Sequence, residues 1–306
     1  MTAQQDTVTI VEVGPRDGLQ AEARALPAAD RIRLIELLVD SGLKHIESGS
    51  FVSPKWVPQM AESDAVLRGV PANPGVHYPV LVPNLRGLEL ALAAGAREIA
   101  VFTAASETFC QRNTNCTIGE SLQRFEPVLA LAAEHGVPVR GYVSCVLGCP
   151  YQGEVGTGAV IEVATALAAM GCYEVCLADT IGVGTPRRAR ALISAAAEQL
   201  PLDRLAVHFH DTYGQALANV LACLEIGIRT VDSAVAGLGG CPYAPGAAGN
   251  LATEDLVYML DGMGLHTGVD LDRLIEAGTF ICERLGRRSQ SRVQLARQGR
   301  GTRVLT

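Results

Sequence analysis

Apolar positions along this chain follow two rhythms that alternate from one end to the other. Short stretches rich in β-branched residues predict strands, and longer stretches with apolar residues three and four apart predict helices. Residues 1–7 are polar and predict no element, while 7–13 form the first strand, broken at Gly14-Pro15. A helix follows over 26–41, where Ile32, Leu34, Ile35, Leu37 and Leu38 share a face and Gly42 supplies the stop. Strands are predicted at 45–48, 78–82, 98–102, 138–143, 173–177, 205–210 and 230–235. Helices fall near 58–68, 88–94, 118–134, 156–170, 185–198, 215–224 and from 251 onward, with a further helix over 271–285. Residues 103–117 read as a long polar loop, and the basic tail 287–306 as weakly packed.

Eight strand-then-helix units without a break in composition predict an α/β fold, a (β/α)8 TIM barrel with extra C-terminal helices. The whole chain, 1–306, reads as one catalytic domain with its core over about 8–285. A doubly wound open sheet is the other architecture for such a pattern, but it favours a Gly-rich phosphate turn after the first strand. Gly-Pro-Arg-Asp-Gly at 14–18 is not that turn.

Composition narrows the setting. The 306 residues are 48% hydrophobic but only 5% aromatic, which suits a core of Ala, Val, Leu and Ile around a parallel sheet. A net charge of −7 gives no electrostatic support for a nucleic-acid partner. No uninterrupted apolar run reaches a membrane span, and no charged start precedes an apolar segment, so neither a membrane nor an export route is expected. The nine cysteines have no C-x-x-C pair and read as reduced thiols of a cytoplasmic enzyme.

The chemistry gathers at predicted strand ends, which a barrel brings to one face. His208 and His210 lie two apart, on the same side of a strand and roughly 6.5 Å from each other at Cα. Asp17 ends the first strand, and with the two imidazoles makes a mixed N/O set for a divalent cation with positions left open for substrate. Non-haem iron oxygenases use the same set, though on β-rich folds. Glu47 reads equally as a ligand or as a supporting partner. Arg140 or Tyr142, and Asp179-Thr180, are the polar residues of strands five and six. The Gly-rich run 237–250 reads as a lid carrying Cys241 toward the site.

Four stretches of the chain resemble the 3-hydroxy-3-methylglutaryl-coenzyme A lyases: 11–20 (Val-Glu-Val-Gly-Pro-Arg-Asp-Gly-Leu-Gln), 51–60 (Phe-Val-Ser-Pro-Lys-Trp-Val-Pro-Gln-Met), 208–219 (His-Phe-His-Asp-Thr-Tyr-Gly-Gln-Ala-Leu-Ala-Asn), and Gly-Gly-Cys-Pro-Tyr-Ala at 239–244 continuing at 249–255. The first and third also resemble the wider metal-dependent lyase, aldolase and synthase barrels, whereas the Cys-Pro-Tyr loop is particular to the lyases. The resemblance implies a Mg²⁺ or Mn²⁺ cofactor, no tightly bound organic cofactor, an acyl-CoA substrate and a homodimer. The reaction it implies is cleavage of 3-hydroxy-3-methylglutaryl-CoA to acetyl-CoA and acetoacetate, a leucine-degradation or ketogenic step.

Carried onto this chain, the resemblance implies metal ligands at Asp17, His208, His210 and Asn250. It implies catalytic roles for Arg16, Asp17, Glu47, His208 and Cys241. Substrate and CoA contacts are assigned to Arg16, Gln20, Lys55, Arg112 and Asn113. Ser48-Gly49 departs from the Thr or Val followed by Thr or Ser common in the family, and is where room for a larger acyl tail would be sought. The alternatives are a lyase for a longer branched glutaryl-CoA, a related aldolase or acyl-transferring synthase, and a non-catalytic coenzyme A or metal-binding protein.

Overall fold

The computed structural model describes residues 6–240 and 248–301. Its parallel strands are β1 (Thr9–Glu12), β2 (His45–Ile46), β3 (Gly49–Ser50), β4 (Val80–Leu81), β5 (Ile99–Ala104), β6 (Val139–Ser144), β7 (Glu174–Asp179), β8 (Leu205–Phe209) and β9 (Thr230–Ser233). Their order, β2-β1-β9-β8-β7-β6-β5-β4-β3, is an eight-position barrel whose second position is split in two. β2 pairs with β1 and β3 with β4. At the changeover, Glu47 N donates to Glu12 O (2.9 Å) and Ser48 N to Pro79 O (3.0 Å), so the ring closes through the 45–50 segment. Glu47 therefore sits where the strand transfers from one neighbour to the other.

The helices are α1 (Ala28–Asp40), α2 (Ser63–Gly69), α3 (Leu85–Ala93), α4 (Glu107–Thr114), α5 (Ile118–Glu134), α6 (Thr157–Ala169), α7 (Pro186–Ala197), α8 (Ala216–Leu224), α9 (Thr253–Gly262), α10 (Leu271–Leu285) and α11 (Arg292–Gly301). Their apolar faces and the strands share one large core, which includes Leu34, Ile35, Val101, Leu167, Val207 and Ile281. Inside the barrel a second, smaller cluster joins Leu81, Ala100, Tyr142, Cys176 and Ala206. No helix among the described residues is long and apolar enough to cross a membrane.

Two segments differ from the sequence expectation. The polar stretch 103–117 contains α4, because Ser106 caps it by accepting from Phe109 N (3.1 Å), and Asn115 ends it in a left-handed turn. Only Phe109 and Cys110 of this helix are buried, too few apolar residues to reveal a period. The basic tail also holds a helix rather than loose chain. Buried Asp255 of α9 accepts from the Ser291 hydroxyl (2.7 Å), Arg292 N (3.1 Å) and Val293 N (2.9 Å), capping α11 from another element.

Candidate active site

β1 ends in a tight π-type turn, Gly14–Gly18, which carries Arg16 and Asp17 to the mouth of the barrel. Glu12 organises this turn. Its Oε1 accepts from Gly14 N (2.8 Å) and Val235 N (2.9 Å), and its Oε2 from the Thr253 hydroxyl (2.7 Å). A Cβ on Gly14 would stand 2.5 Å from Glu12 Oε1, so glycine is required there. One buried carboxylate thus ties together the turn bearing Asp17, the turn at the root of the Gly-rich run and the start of α9. Glu254 grips the same root by accepting from Ala236 N with both oxygens (2.9 and 3.0 Å).

Across the mouth, β8 and the residue after it present His208 and His210, with ring centroids 5.3 Å apart. Asp17, His208 and His210 offer ligand atoms that all lie within 4.8 Å of one another. Asn250 joins them from the far end of the Gly-rich run. It forms a bridge with His210, and its Nδ2 donates to Asp17 Oδ2 (2.9 Å). The donor set fits a hard or borderline divalent cation. Two atoms at this place, His210 Nδ1 and Asn250 Oδ1, are buried without a hydrogen-bond partner, as lone pairs reserved for an ion would be.

Arg16 lies beside this cluster between two carboxylates. Its Nε and Nη2 donate to Glu47 Oε2 (2.7 and 2.6 Å), and its Nη1 to Asp17 Oδ1 (2.8 Å). Glu47 thus positions the guanidinium, the supporting arrangement of its two sequence readings. Its remaining oxygen, Oε1, is buried without a partner, as are Ser48 Oγ and Gln20 Oε1. A Cβ at Gly49 would meet Ser63 Oγ at 2.8 Å and Arg31 Nη2 at 3.2 Å, so glycine there answers to packing against Ser63 and buried Arg31.

A polar network beneath the cluster was not found in the sequence. Arg140 is the second residue of β6 and lies in the barrel interior, not at the strand's end. It pairs with Glu174 (2.6 Å) and reaches Asp232 with two nitrogens (2.8 and 3.2 Å). Asp232 Oδ2 in turn accepts from His208 Nδ1 at 3.2 Å, the tautomer that leaves Nε2 as the ring's free lone pair. Tyr142 links the two layers, with Arg140 4.8 Å and Arg16 5.9 Å from its ring centroid. An aspartate within the β-branched stretch 230–235 was the available signal for Asp232. Asp179 turns instead into its own loop, accepting from Gly184 N (2.7 Å).

The electrostatics follow from this pairing. Burial would raise the Asp17 carboxyl, but Arg16 and both imidazoles outweigh it and hold the group well below the usual carboxylate range. Burial likewise opposes ionisation of Asp232, yet Arg140 and His208 bring it down to about 2. Burial and the neighbouring His208 lower His210 to about 4, keeping its imidazole neutral at physiological pH. Glu12 and Glu254, held by backbone amides and, at Glu12, the Thr253 hydroxyl instead of by cations, are pushed up by burial to about 7 and about 8.

The structure does not bring Lys55, Arg112 and Asn113 into the cluster. All three are exposed on the same side of the barrel, the latter two on α4 instead of a loop, with Arg112 over the Tyr151 ring at 4.4 Å. Cys241 lies outside the described residues. The limbs of its loop meet at a Gly240–Ala248 bridge.

A parallel (β/α)8 barrel with two imidazoles and a carboxylate at its mouth, beside a carboxylate-held arginine, defines the class of metal-dependent barrel enzymes. Within that class, a family model described as HMGL-like matches residues 7–281. The chain is 59% identical over 289 residues to the mitochondrial hydroxymethylglutaryl-CoA lyase of Bos taurus, covering 94% of this chain and 89% of that one. It is equally 59% identical to a Pseudomonas aeruginosa protein named 3-hydroxy-3-isohexenylglutaryl-CoA/hydroxy-methylglutaryl-CoA lyase, covering 94% of this chain and 96% of the relative. A crystal structure of hydroxymethylglutaryl-CoA lyase from Pseudomonas aeruginosa superposes with a TM-score of 0.95 at 58% identity, covering 96% of this chain and 98% of its own. The chain belongs to the HMGL-like family.

Asp232→Asn should weaken Mn²⁺ binding about 10–100-fold in a direct titration, because His208 loses the carboxylate that fixes its tautomer and raises its basicity. Unchanged affinity would contradict that role. A carboxyl whose folded pKa is raised binds its proton more tightly in the folded chain, so it costs stability as pH climbs from the unfolded value through the folded one. Glu12 and Glu254 act in this direction, and so does His208, whose pKa is raised by Asp232 against the pull of burial. The opposing effect of His210 is mostly over by its ordinary value of 6.5, leaving only about 0.4 kcal/mol to be regained above it. Denaturation of the chelator-treated protein should therefore show roughly 2 kcal/mol less stability at pH 8.5 than at pH 6.5. A flat or rising profile would refute it.

Proposed function

We propose that this chain cleaves 3-hydroxy-3-methylglutaryl-CoA to acetyl-CoA and acetoacetate, using Asp17, His208, His210 and Asn250 to hold Mg²⁺ or Mn²⁺. The observation that carries the reading is the meeting of Asp17, His208 and His210 beside Arg16 at one end of the barrel. It is supported by 59% identity over nearly the whole chain to proteins named as lyases for this substrate. When bound, the cation supplies Lewis acidity toward the substrate's tertiary hydroxyl and carboxylate.

The protein's own groups do the rest. Asp17 or His208 is assigned as the base for the hydroxyl proton. Once that proton leaves, the bond between the hydroxyl-bearing carbon and the thioester's α-carbon breaks. Its electron pair passes to the thioester as an enolate, and the alkoxide carbon becomes the ketone of acetoacetate. Arg16 faces this developing charge with a guanidinium already oriented by Glu47, a contribution of roughly 3–4 kcal/mol to the transition state. Cys241 is assigned as the proton donor that completes acetyl-CoA. Gln20 is a partner for the acyl portion, and Lys55, Arg112 and Asn113 for the CoA phosphates. Free buried thiols at all eight described cysteines suit a reducing, cytoplasmic setting, and a homodimer is the assembly that accompanies this reading.

A lyase for a longer branched glutaryl-CoA is the second reading, favoured by the isohexenyl substrate in the name of the Pseudomonas aeruginosa relative. Acetoacetate release from 3-hydroxy-3-methylglutaryl-CoA should require Mg²⁺ or Mn²⁺ and stop with a chelator. Cys241→Ala should lower kcat by about 10²–10⁴ with metal affinity retained. A folded, metal-loaded protein that releases nothing from this thioester but turns over the isohexenyl analogue would establish the second reading. Full activity in Cys241→Ala would remove the proton-donor assignment.

A further inference from the structure

The loop after β6 holds a thiol environment that the cleavage chemistry does not use. Residues 149–153 fold back on themselves, with Cys149 N donating to Gly153 O (2.8 Å) and Gly153 N to Cys149 O (3.0 Å). The Cys149 sulfur faces donors from several sides: the Ser106 hydroxyl at 3.0 Å, Tyr151 N–H at 3.4 Å and Gln152 N–H at 3.5 Å. The Cys145 thiol is its remaining hydrogen-bond neighbour. Converging donors of this kind make a concavity for an anion, and here the anion is the thiolate itself. The Ser106 hydroxyl also lies 2.7 Å from Gln152 Oε1, but an ionised sulfur is the stronger claimant for its proton.

The contrast with the other thiols is chemical. Burial opposes ionisation of Cys149, yet its donors outweigh burial and bring its pKa below the ordinary thiol value. Cys172 and Cys223 have no such ring of donors, and burial pushes both up to about 12. Cys145 is fixed beside Cys149 by a left-handed backbone (φ 61°) and by its N–H bond to Thr180 Oγ1 (2.9 Å). A non-glycine residue held in that conformation is kept there by its surroundings. The turn residues Tyr151, Gln152 and Gly153 are exposed, so Cys149 lies one layer below solvent.

We propose that Cys149 and Cys145 are a peroxide-reactive thiol pair, with Cys149 the attacking sulfur and Cys145 the resolving one. The Cys149 thiolate attacks a hydroperoxide, forming an S–O bond as the O–O bond breaks, and the departing oxygen takes up a proton. This leaves a sulfenic acid on Cys149. The Cys145 thiol then loses its proton and attacks that sulfur, so that an S–S bond replaces the S–O bond and a second oxygen leaves as water. Overall two thiols are oxidised to one disulfide while hydrogen peroxide is reduced to two waters.

The test treats the full-length, metal-loaded protein with limiting hydrogen peroxide, alkylates the remaining thiols and maps cysteine peptides by mass spectrometry over time. The Cys145–Cys149 disulfide should form at least about tenfold faster than any oxidation at Cys172, Cys223 or Cys282. In Cys145→Ser, dimedone should trap a sulfenic acid on Cys149, and in Cys149→Ser the oxidation of Cys145 should fall to the rate of the buried thiols. Wild-type oxidation of Cys149 no faster than that of Cys172 would overturn the proposal without recourse to any variant. Rapid Cys145 oxidation surviving in Cys149→Ser would overturn the assignment of the attacking sulfur.

Discussion

Asp232 is shared by Arg140 on one side and His208 on the other, and the mouth of the barrel depends on that sharing. Charge inside a parallel barrel is costly unless each group has a partner, since desolvation exceeds the attraction of an imperfect pair. This chain meets the condition by linkage. Glu174 and Asp232 neutralise Arg140, while Asp232 also orients His208. His208 then faces Asp17, which is itself held by Arg16 and Asn250, and Glu47 completes the series. Removing one member would leave a neighbour buried and unpaired, so the site behaves as one electrostatic unit and not as a set of independent side chains.

Backbone construction serves the same unit. Glu12 and Glu254 fasten the 14–18 turn, the 235–237 turn and the start of α9, the segments from which Asp17, the Gly-rich run and Asn250 emerge. These carboxyls are paired with amides and a hydroxyl, not with cations, and that is why burial raises their pKa while ion pairing lowers those of Asp17 and Asp232. The fold's order and the site's geometry thus rest on the same few carboxylates in two different electrical states.

Much of this was legible in the sequence because it is written in local pattern. Alternating strand and helix periods gave the barrel, and polar residues at apolar strand ends gave Asp17, His208, His210 and Arg16. What escaped depends on contacts between distant elements. Asp232 sits inside its strand and acquires meaning only from Arg140, 92 positions earlier. α4 is defined by capping more than by an apolar face, and α11 by Asp255 on another helix. The exchange of partners at Glu47-Ser48 depends on strand register across the closed ring, which no window of sequence contains. Gly49 is demanded by the close approach of Ser63 and Arg31, which no local pattern displays.

If Asp17, His208 and His210 hold a divalent cation together, with Asn250 as a further ligand, anomalous diffraction from crystals grown with Mn²⁺ will show one strong peak bounded by these side chains. That peak should vanish in His210→Ala with the barrel intact. A peak elsewhere, or full Mn²⁺ occupancy surviving in His210→Ala, would rule out a shared site.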